Sequence, residues 1–404
     1  MLCRISNGHS QLGIRRSIGS EKIAEQRKER SQNREKNMDS KGYPPVAVAV
    51  PVGGTFPPAP PAASAPLATS APVNEAGVRT YLQSQHFPAG LIDQAIASID
   101  KYPLRFFVLD DSGSMMTNDG NKIVGGPSAG LGVHRACTRW EELGAGVRFH
   151  SGLAKAAGCH AQFMFLNGPS INYPEDLPRG AQVFETTLSA SPGGGTPLCH
   201  AISRIVHDLT PLAPSLKASG KKAVIIIITD GEASDGNLVQ AMAPLQGLPV
   251  WVVVRLVTNE DKIVNYWNSV DAELELDLEV LDDVASEADE VHAKNPWLNY
   301  GEPIHRMREW GMHVKEVDML DEAVLSLEQT KNLVALLAGA KLSSTLPVNY
   351  NEDVSRFANA CKKLFSAPDK IPPIHNPRTK RKDVWINASE LKRIHGKGGG
   401  CSIM

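Results

Sequence analysis

The run Ala223–Thr229, AVIIIIT, constrains this chain more than any other stretch. Four consecutive isoleucines leave no polar face, and a run this short cannot span a bilayer. β-Branched residues favour extended backbone, so the run reads as a strand covered on both faces. Such strands belong to mostly parallel sheets with helices packed on both sides. Further runs at Leu104–Leu109, Ala161–Leu166, Val250–Leu256 and Met312–Val317 read the same way. Helical patterns lie between them. In TPLCHAISRIVHDL, the residues Leu198, Ala201, Ile202, Ile205, Val206 and Leu209 form one apolar stripe. The expected fold is α/β: a Rossmann-like, doubly wound, mostly parallel sheet with helices on both faces.

The rest of the chain divides by composition. Residues 1–73 are expected to be a disordered region ending in a Pro/Ala-rich linker. Its Glu21, Glu25, Glu29 and Glu35 oppose a mitochondrial transit peptide, and Met38 offers an alternative start. Residues 74–102 read as two short helices around Pro88-Ala89-Gly90. A ubiquitin-associated domain would need a third helix, so the pair is expected to pack on the main domain. That domain is placed at 103–341 and a helical extension at 342–376. Residues 377–404 are expected to be a basic, flexible tail.

Whole-chain charge and cysteine usage narrow the function. A formal net charge of −2 over 404 residues argues against bulk binding to nucleic acid. The six cysteines, at 3, 137, 159, 199, 361 and 401, include no Cys-x-x-Cys pair, and no secretory apolar segment follows Met1. Both point to free thiols in a reducing, intracellular compartment.

The chemistry is expected where strands end, because open α/β sheets bind ligands beyond the carboxyl ends of their strands. Asp110, Ser112 and Ser114 follow the first strand. Thr196 follows three glycines at a helix start. Asp230 ends the isoleucine strand. Carboxylates and hydroxyls in this number select a hard cation, Mg²⁺ or else Mn²⁺ or Ca²⁺. With two formal negative charges nearby, the ion stays electrophilic and open to a carboxylate from outside. Individually the residues have plainer readings: Thr196-Pro197 as a helix cap, Asp110 and Ser112 as a turn.

The pattern Asp110-Asp111-Ser112-Gly113-Ser114, Gly195-Thr196-Pro197 and Thr229-Asp230-Gly231 resembles the von Willebrand factor A-type domain and its metal-ion-dependent adhesion site. The resemblance covers about residues 104–340. It implies direct ligation by Ser112 and Ser114, ligation by Thr196 directly or through water, and water-mediated contacts from Asp110 and Asp230. It also implies a partner protein that offers an acidic residue to the ion. The stretch 258–311 is longer than a simple strand-to-strand connection requires.

Enzyme readings fit less well. A haloacid-dehalogenase-type phosphatase needs Asp-x-Asp, and the chain has Asp110-Asp111-Ser112. A serine hydrolase elbow needs Gly two residues before the serine, where Asp110 stands before Ser112. A P-loop needs a lysine that Gly125–Arg135 lacks. The histidines His134, His160, His200 and His207 lie in unrelated contexts. The chain is therefore read as a binding module rather than an enzyme.

Two features remain. The run Asp271–Val291 holds ten acids and no Lys or Arg. Alternation at Leu274, Leu276, Leu278 and Val280 suggests a half-buried strand, followed by a helix through Val291. Its acids read as a solvated face or as a docking surface for a basic partner. The chain ends Cys401-Ser402-Ile403-Met404, which resembles a prenylation box in which terminal Met favours a farnesyl group. Arg378, Lys380, Arg381, Lys382, Lys392, Arg393 and Lys397 would supply the second signal that one lipid chain needs, by attraction to anionic lipid. The expected location is the cytoplasmic face of a membrane.

Overall fold

The computed structural model describes residues 73–396, except 125–132, 178, 275, 348–352 and 369. The expectations for 1–72, for most of the glycine-rich loop after Val124, and for Lys397 and Cys401 lie outside the described residues.

Two helices come first, α1 (Glu75–Ser84) and α2 (Ala89–Lys101). Then β1 (Leu104–Leu109) leads to the hairpin β2 (Gly120–Val124) and β3 (Val133–Cys137), and to α3 (Arg139–Ala157). Strands β4 (His160–Phe165) and β5 (Ser170–Tyr173) precede α4 (Arg179–Ser189), α5 (Leu198–Leu209) and α6 (Ala213–Ala218). Next come β6 (Ala223–Thr229), α7 (Leu238–Met242), β7 (Val250–Leu256), α8 (Asp261–Glu273), β8 (Leu278–Leu281), α9 (Val284–Lys294), α10 (Glu302–Glu309) and α11 (Lys315–Asp318). The C-terminal part holds α12 (Leu327–Ser343), α13 (Val354–Phe365), β9 (Ile374–Asn376), β10 (Arg381–Asp383) and α14 (Ala388–His395).

Six strands form the central sheet in the order β5-β4-β1-β6-β7-β8. All neighbours are parallel except the β4–β5 edge pair. This is the doubly wound α/β fold expected from the sequence. The chain moves outward from β1 to β4 and β5, then returns to β6, so the order reverses between β1 and β6. In open α/β sheets such a reversal marks where ligands bind, beyond the carboxyl ends of these two strands.

Burial explains why the isoleucine run is a strand here. Every residue of β6 is buried, and so is every residue of β1 and β7. Alternate side chains feed two cores. Phe107, Phe163 and Ile226, adjacent in the register of β1, β4 and β6, pack with α1, α2 and α3 on one face. Val108, Ile225 and Ile227 pack with Leu198, Ile202 and Ile205 of α5 and with Trp267 of α8 on the other. The stripe read from the sequence of α5 is the stripe it buries.

The first two helices pack onto this domain. The Tyr81 hydroxyl donates to the Phe149 carbonyl of α3 at 2.9 Å. Gly90 lies so close to α12 that a Cβ there would sit 1.4 Å from the Leu336 carbonyl oxygen. Only a residue without a side chain allows that approach.

Three features differ from the sequence expectation. Met312–Val317 is not a strand: after a turn at Trp310–Gly311 (Gly311 φ 90°), irregular backbone with only Met312 buried leads into α11. A short apolar run does not by itself distinguish irregular backbone from a strand, and β8 occupies the edge of β7. The long stretch 258–311 is accounted for by β8 and the helices around it. The antiparallel edge strand β5 has no counterpart in the sequence reading, because four residues carry too little pattern.

The third difference is the supposed tail. Residues 377–396 carry β10, antiparallel to β9, and α14, with Trp385 and Leu391 fully buried. The Asn299 N–H donates to the Trp385 carbonyl at 2.8 Å, and the Asn387 N–H donates to the Trp297 carbonyl at 2.7 Å. The basic residues of this segment therefore sit on a folded element. Arg378 pairs with Asp289 at 2.6 Å, Lys392 donates to Asn359, and Arg393 pairs with Glu390. Lys380, Arg381 and Lys382 are exposed on the hairpin.

The acidic run is a solvated face only in part: Glu273, Asp277 and Asp289 are exposed, while Asp283 and Glu287 are buried and several of its acids are paired within the fold. Arg308 binds Glu279 at 2.8 Å and Glu287 at 2.6 Å, Lys222 binds Asp277, and Asp283 caps α9. Trp297, Tyr300 and Trp310 of the neighbouring aromatic stretch are buried in the core.

Candidate metal centre

Asp110 and Asp230 directly follow β1 and β6, the two strands between which the order reverses, so adjacent parallel strands deliver both carboxylates to one end of the sheet. The Asp110 N–H donates to the Ile228 carbonyl at 2.9 Å, continuing the ladder and fixing where the turn begins. One Asp110 oxygen accepts the Ser112 N–H at 2.9 Å, and the other accepts the Thr229 hydroxyl at 2.5 Å. The first contact is the Asx-type turn that the plainer reading expects. It also aims the two serines. Ser112 Oγ and Ser114 Oγ are 3.0 Å apart, and Ser114 Oγ donates to Asp230 Oδ1 at 2.9 Å.

The third loop closes against the first two. The Gly113 N–H donates to the Gly194 carbonyl at 3.2 Å, and the Gly193 N–H donates to the Asp111 carbonyl at 2.8 Å. Gly194 has a φ of 96°, and a Cβ there would collide with the Asn167 side chain at 2.7 Å. A glycine is required for this close pass. Thr196 is then held by its N–H, which donates to Ser234 Oγ at 2.8 Å. Its hydroxyl oxygen would lie 3.9 Å from a Cβ on Gly231, beside Asp230. The helix-cap reading of Thr196 is not what the structure shows. The start of α5 is capped by Asp235, whose carboxylate accepts the Cys199 and His200 N–H groups at 3.0 and 2.8 Å.

Ser112, Ser114, Thr196, Asp110 and Asp230 thus come from three loops to one place, linked by direct hydrogen bonds or by adjacent backbone. Among the described residues no three His, Cys, Asp or Glu side chains form a metal cluster. The convergent set is three hydroxyls with two carboxylates, all oxygen, which suits a hard cation rather than a thiol- or imidazole-loving one. The carboxylates themselves support that fit. Burial pushes the pKa of Asp110 up against the pull of its hydrogen bonds, and the nearby Asp230 adds to the rise. A divalent ion would relieve both causes.

Sequence reasoning missed several residues that build the site. Asp111 does not face the serines; it accepts the Asn167 N–H and side-chain amide and anchors the first loop to the end of β4. Thr229 stands inside the third motif, but its role there is its hydroxyl, the partner of Asp110. Arg139, the first residue of α3, gives no local signal. Its guanidinium donates to Asp230 Oδ2 at 2.9 Å, to both Asp119 oxygens at 2.6 and 2.7 Å, and to Glu260 at 2.5 Å. Burial opposes the charge on Arg139, but these hydrogen bonds outweigh it and hold its pKa above the usual value.

No family model matches the chain. No curated protein matches it. Among solved structures it is similar to an aerotolerance-related membrane protein from Bacteroides fragilis NCTC 9343 carrying multiple mutations to serines. The identity is 17%, over 44% of this chain and 90% of that one, with a TM-score of 0.29. The functional reading therefore rests on the site.

Proposed function

We propose that the chain is a von Willebrand A-type binding module that grips an acidic side chain of a partner protein through a divalent cation. The observation that supports it is the convergence of five oxygen donors at the strand-order reversal, with the two strand-end carboxylates beside three hydroxyls. Ser112, Ser114, Thr196, Asp110 and Asp230 would hold the ion, Mg²⁺ or else Mn²⁺ or Ca²⁺. When bound, the ion supplies an electrophilic coordination position that suits a carboxylate. The protein supplies placement: β1 and β6 fix the aspartates, and the glycines let the third loop approach. A binding role, not catalysis, is the reading; turnover of p-nitrophenyl phosphate by the metal-loaded protein would favour a hydrolase instead. Partner binding unchanged by chelator would make the metal structural.

Calorimetry with Mn²⁺ tests the site. Wild type is expected to bind, and Asp110→Ala and Thr196→Ala are expected to lose that heat while keeping the far-UV spectrum. Equal heats for all three proteins would end the reading. A partner captured from cell extract should then bind in Mg²⁺ and be released by chelator.

The same proposal includes a tether at the cytoplasmic face. It is supported by the terminal Cys401-Ser402-Ile403-Met404 and by the exposed hairpin cations Lys380, Arg381 and Lys382. Among the described residues no helix is long and apolar enough to cross a membrane. Each hairpin cation near an anionic leaflet contributes about 1 kcal/mol. Arg378, Lys392 and Arg393 would add less, because each already has a partner in the fold, and Lys397 lies outside the described residues. Cys401→Ser is expected to shift the protein wholly to the soluble fraction. Neutralising Lys380, Arg381 and Lys382 should release it in part, more at high salt because the attraction is screened. A Cys401→Ser protein that stays on membranes as firmly as wild type would sink the tether.

A further inference from the structure

Arg139 is an unusual residue in its place. A cation in the first turn of a helix opposes the positive end of the helix dipole, so α3 gains nothing from it there. That helix already has its own cap: the Glu141 N–H donates to Thr138 Oγ1 at 3.1 Å, and the Thr138 N–H donates to Glu141 at 3.1 Å. A residue that breaks a local rule without a local gain points to a functional constraint. The backbone around Arg139 is firmly held. Its N–H donates to the Thr117 carbonyl at 3.0 Å, and α3 is tied to β7 by the buried pair Glu142–Arg255.

The guanidinium meets three acids of unequal burial. The Asp230 side chain is fully buried, whereas those of Asp119 and Glu260 are 41% and 55% exposed. Water screens the two exposed carboxylates, whereas the Asp230 contact is shielded from it, so Arg139 places positive charge directly beside the site. Asp110 and Asp230 together carry −2, and a divalent ion alone would cancel them. Arg139 adds a positive charge beside them, which Asp119 and Glu260 offset from their water-exposed side, so a bare ion meets a repulsion that a carboxylate from outside would relieve.

We propose that Arg139 is a built-in counter-charge of the metal site, placed to weaken its hold on the bare ion and so leave the ion dependent on a partner carboxylate. This rests on the metal reading above and goes beyond it, because it assigns the coupling between ion and partner to a residue outside the donor set. The competing idea is a staple: Arg139 merely ties together the loops that carry Asp119, Asp230 and Glu260. The two ideas predict opposite signs. Loss of a staple loosens the site and weakens ion binding. Loss of a counter-charge removes repulsion and tightens it.

Calorimetric titration of the full chain with Mn²⁺ alone decides between them. Arg139→Gln is expected to lower the Mn²⁺ Kd by about tenfold, and Arg139→Lys, which keeps the charge but not the forked geometry, to stay within about threefold of wild type. Should Arg139→Gln not fold, Arg139→Lys carries the test: a Kd raised more than about threefold shows a staple and overturns the proposal. Wild type that binds Mn²⁺ beside an Arg139→Gln that binds no more tightly overturns the role of Arg139 alone. Wild type that gives no Mn²⁺ heat overturns the metal reading and this inference together.

Discussion

Replacing Arg308 with methionine is expected to remove roughly 3–5 kcal/mol of stability at pH 8, the cost of leaving buried charges without their partner. Arg308 is 2% exposed and bridges Glu279, Glu287 and Asp321 while donating to the Tyr300 hydroxyl at 3.2 Å. Methionine fills similar volume, so the loss reports charge and hydrogen bonding more than a cavity. The loss should also depend on pH. Burial raises the pKa of Glu287 well above its ordinary value, and Arg308 opposes that rise. Without Arg308 the folded-state pKa climbs further above the unfolded one. A group shifted this way contributes stability below its unfolded pKa and loses it as pH rises through the folded value. The deficit of Arg308→Met should therefore shrink from pH 8 toward pH 5. Urea unfolding of both proteins at the two pH values measures it. A loss below about 1 kcal/mol, or a deficit that grows toward pH 5, would mean that the acidic run is solvated after all.

Trp385→Ala is expected to cost a similar amount, roughly 3–5 kcal/mol, because a large buried side chain leaves a cavity that its surroundings fill only in part. Trp385 is fully buried, its indole N–H donates to the Pro372 carbonyl at 2.9 Å, and the adjoining Ile386 bridges to Leu298. A lowered melting temperature of roughly 4–7 °C is expected for a domain of this size. A tryptophan in a loose tail would instead be silent. A shift under about 2 °C would show that residues 377–396 contribute nothing to the fold.

These two predictions concern segments that local sequence pattern describes least well. Asp271–Val291 reads as acidic in isolation because its cations lie elsewhere: Lys222 before β6, Arg308 on α10, Arg378 after β9. Its alternation at Leu278 and Val280 is nonetheless legible and is β8. The tail reads as basic and aperiodic because its packing residues, Ile374, Trp385, Ile386 and Leu391, are widely spaced and belong to short elements. Their partners Trp297 and Leu298 are distant along the chain.

The sequence by itself determined the architecture and which strand-end residues meet. Strands buried on both faces must be nearly all apolar, and helices on such a sheet must carry one stripe, so β1, β6, β7 and α5 were readable from local pattern. The meeting of Asp110, Ser112, Ser114, Thr196 and Asp230 was readable too, because loops that follow adjacent parallel strands converge beyond the carboxyl ends of the sheet. Only the tertiary structure decided what surrounds those residues. Thr229 beneath Asp110, Asn167 on Asp111, Asp235 as the cap of α5 and Arg139 against Asp230 depend on which strands lie side by side and which loops meet over them. Hydrogen bonds and ion pairs act over a few ångströms in space, while periodicity records only neighbours along the chain.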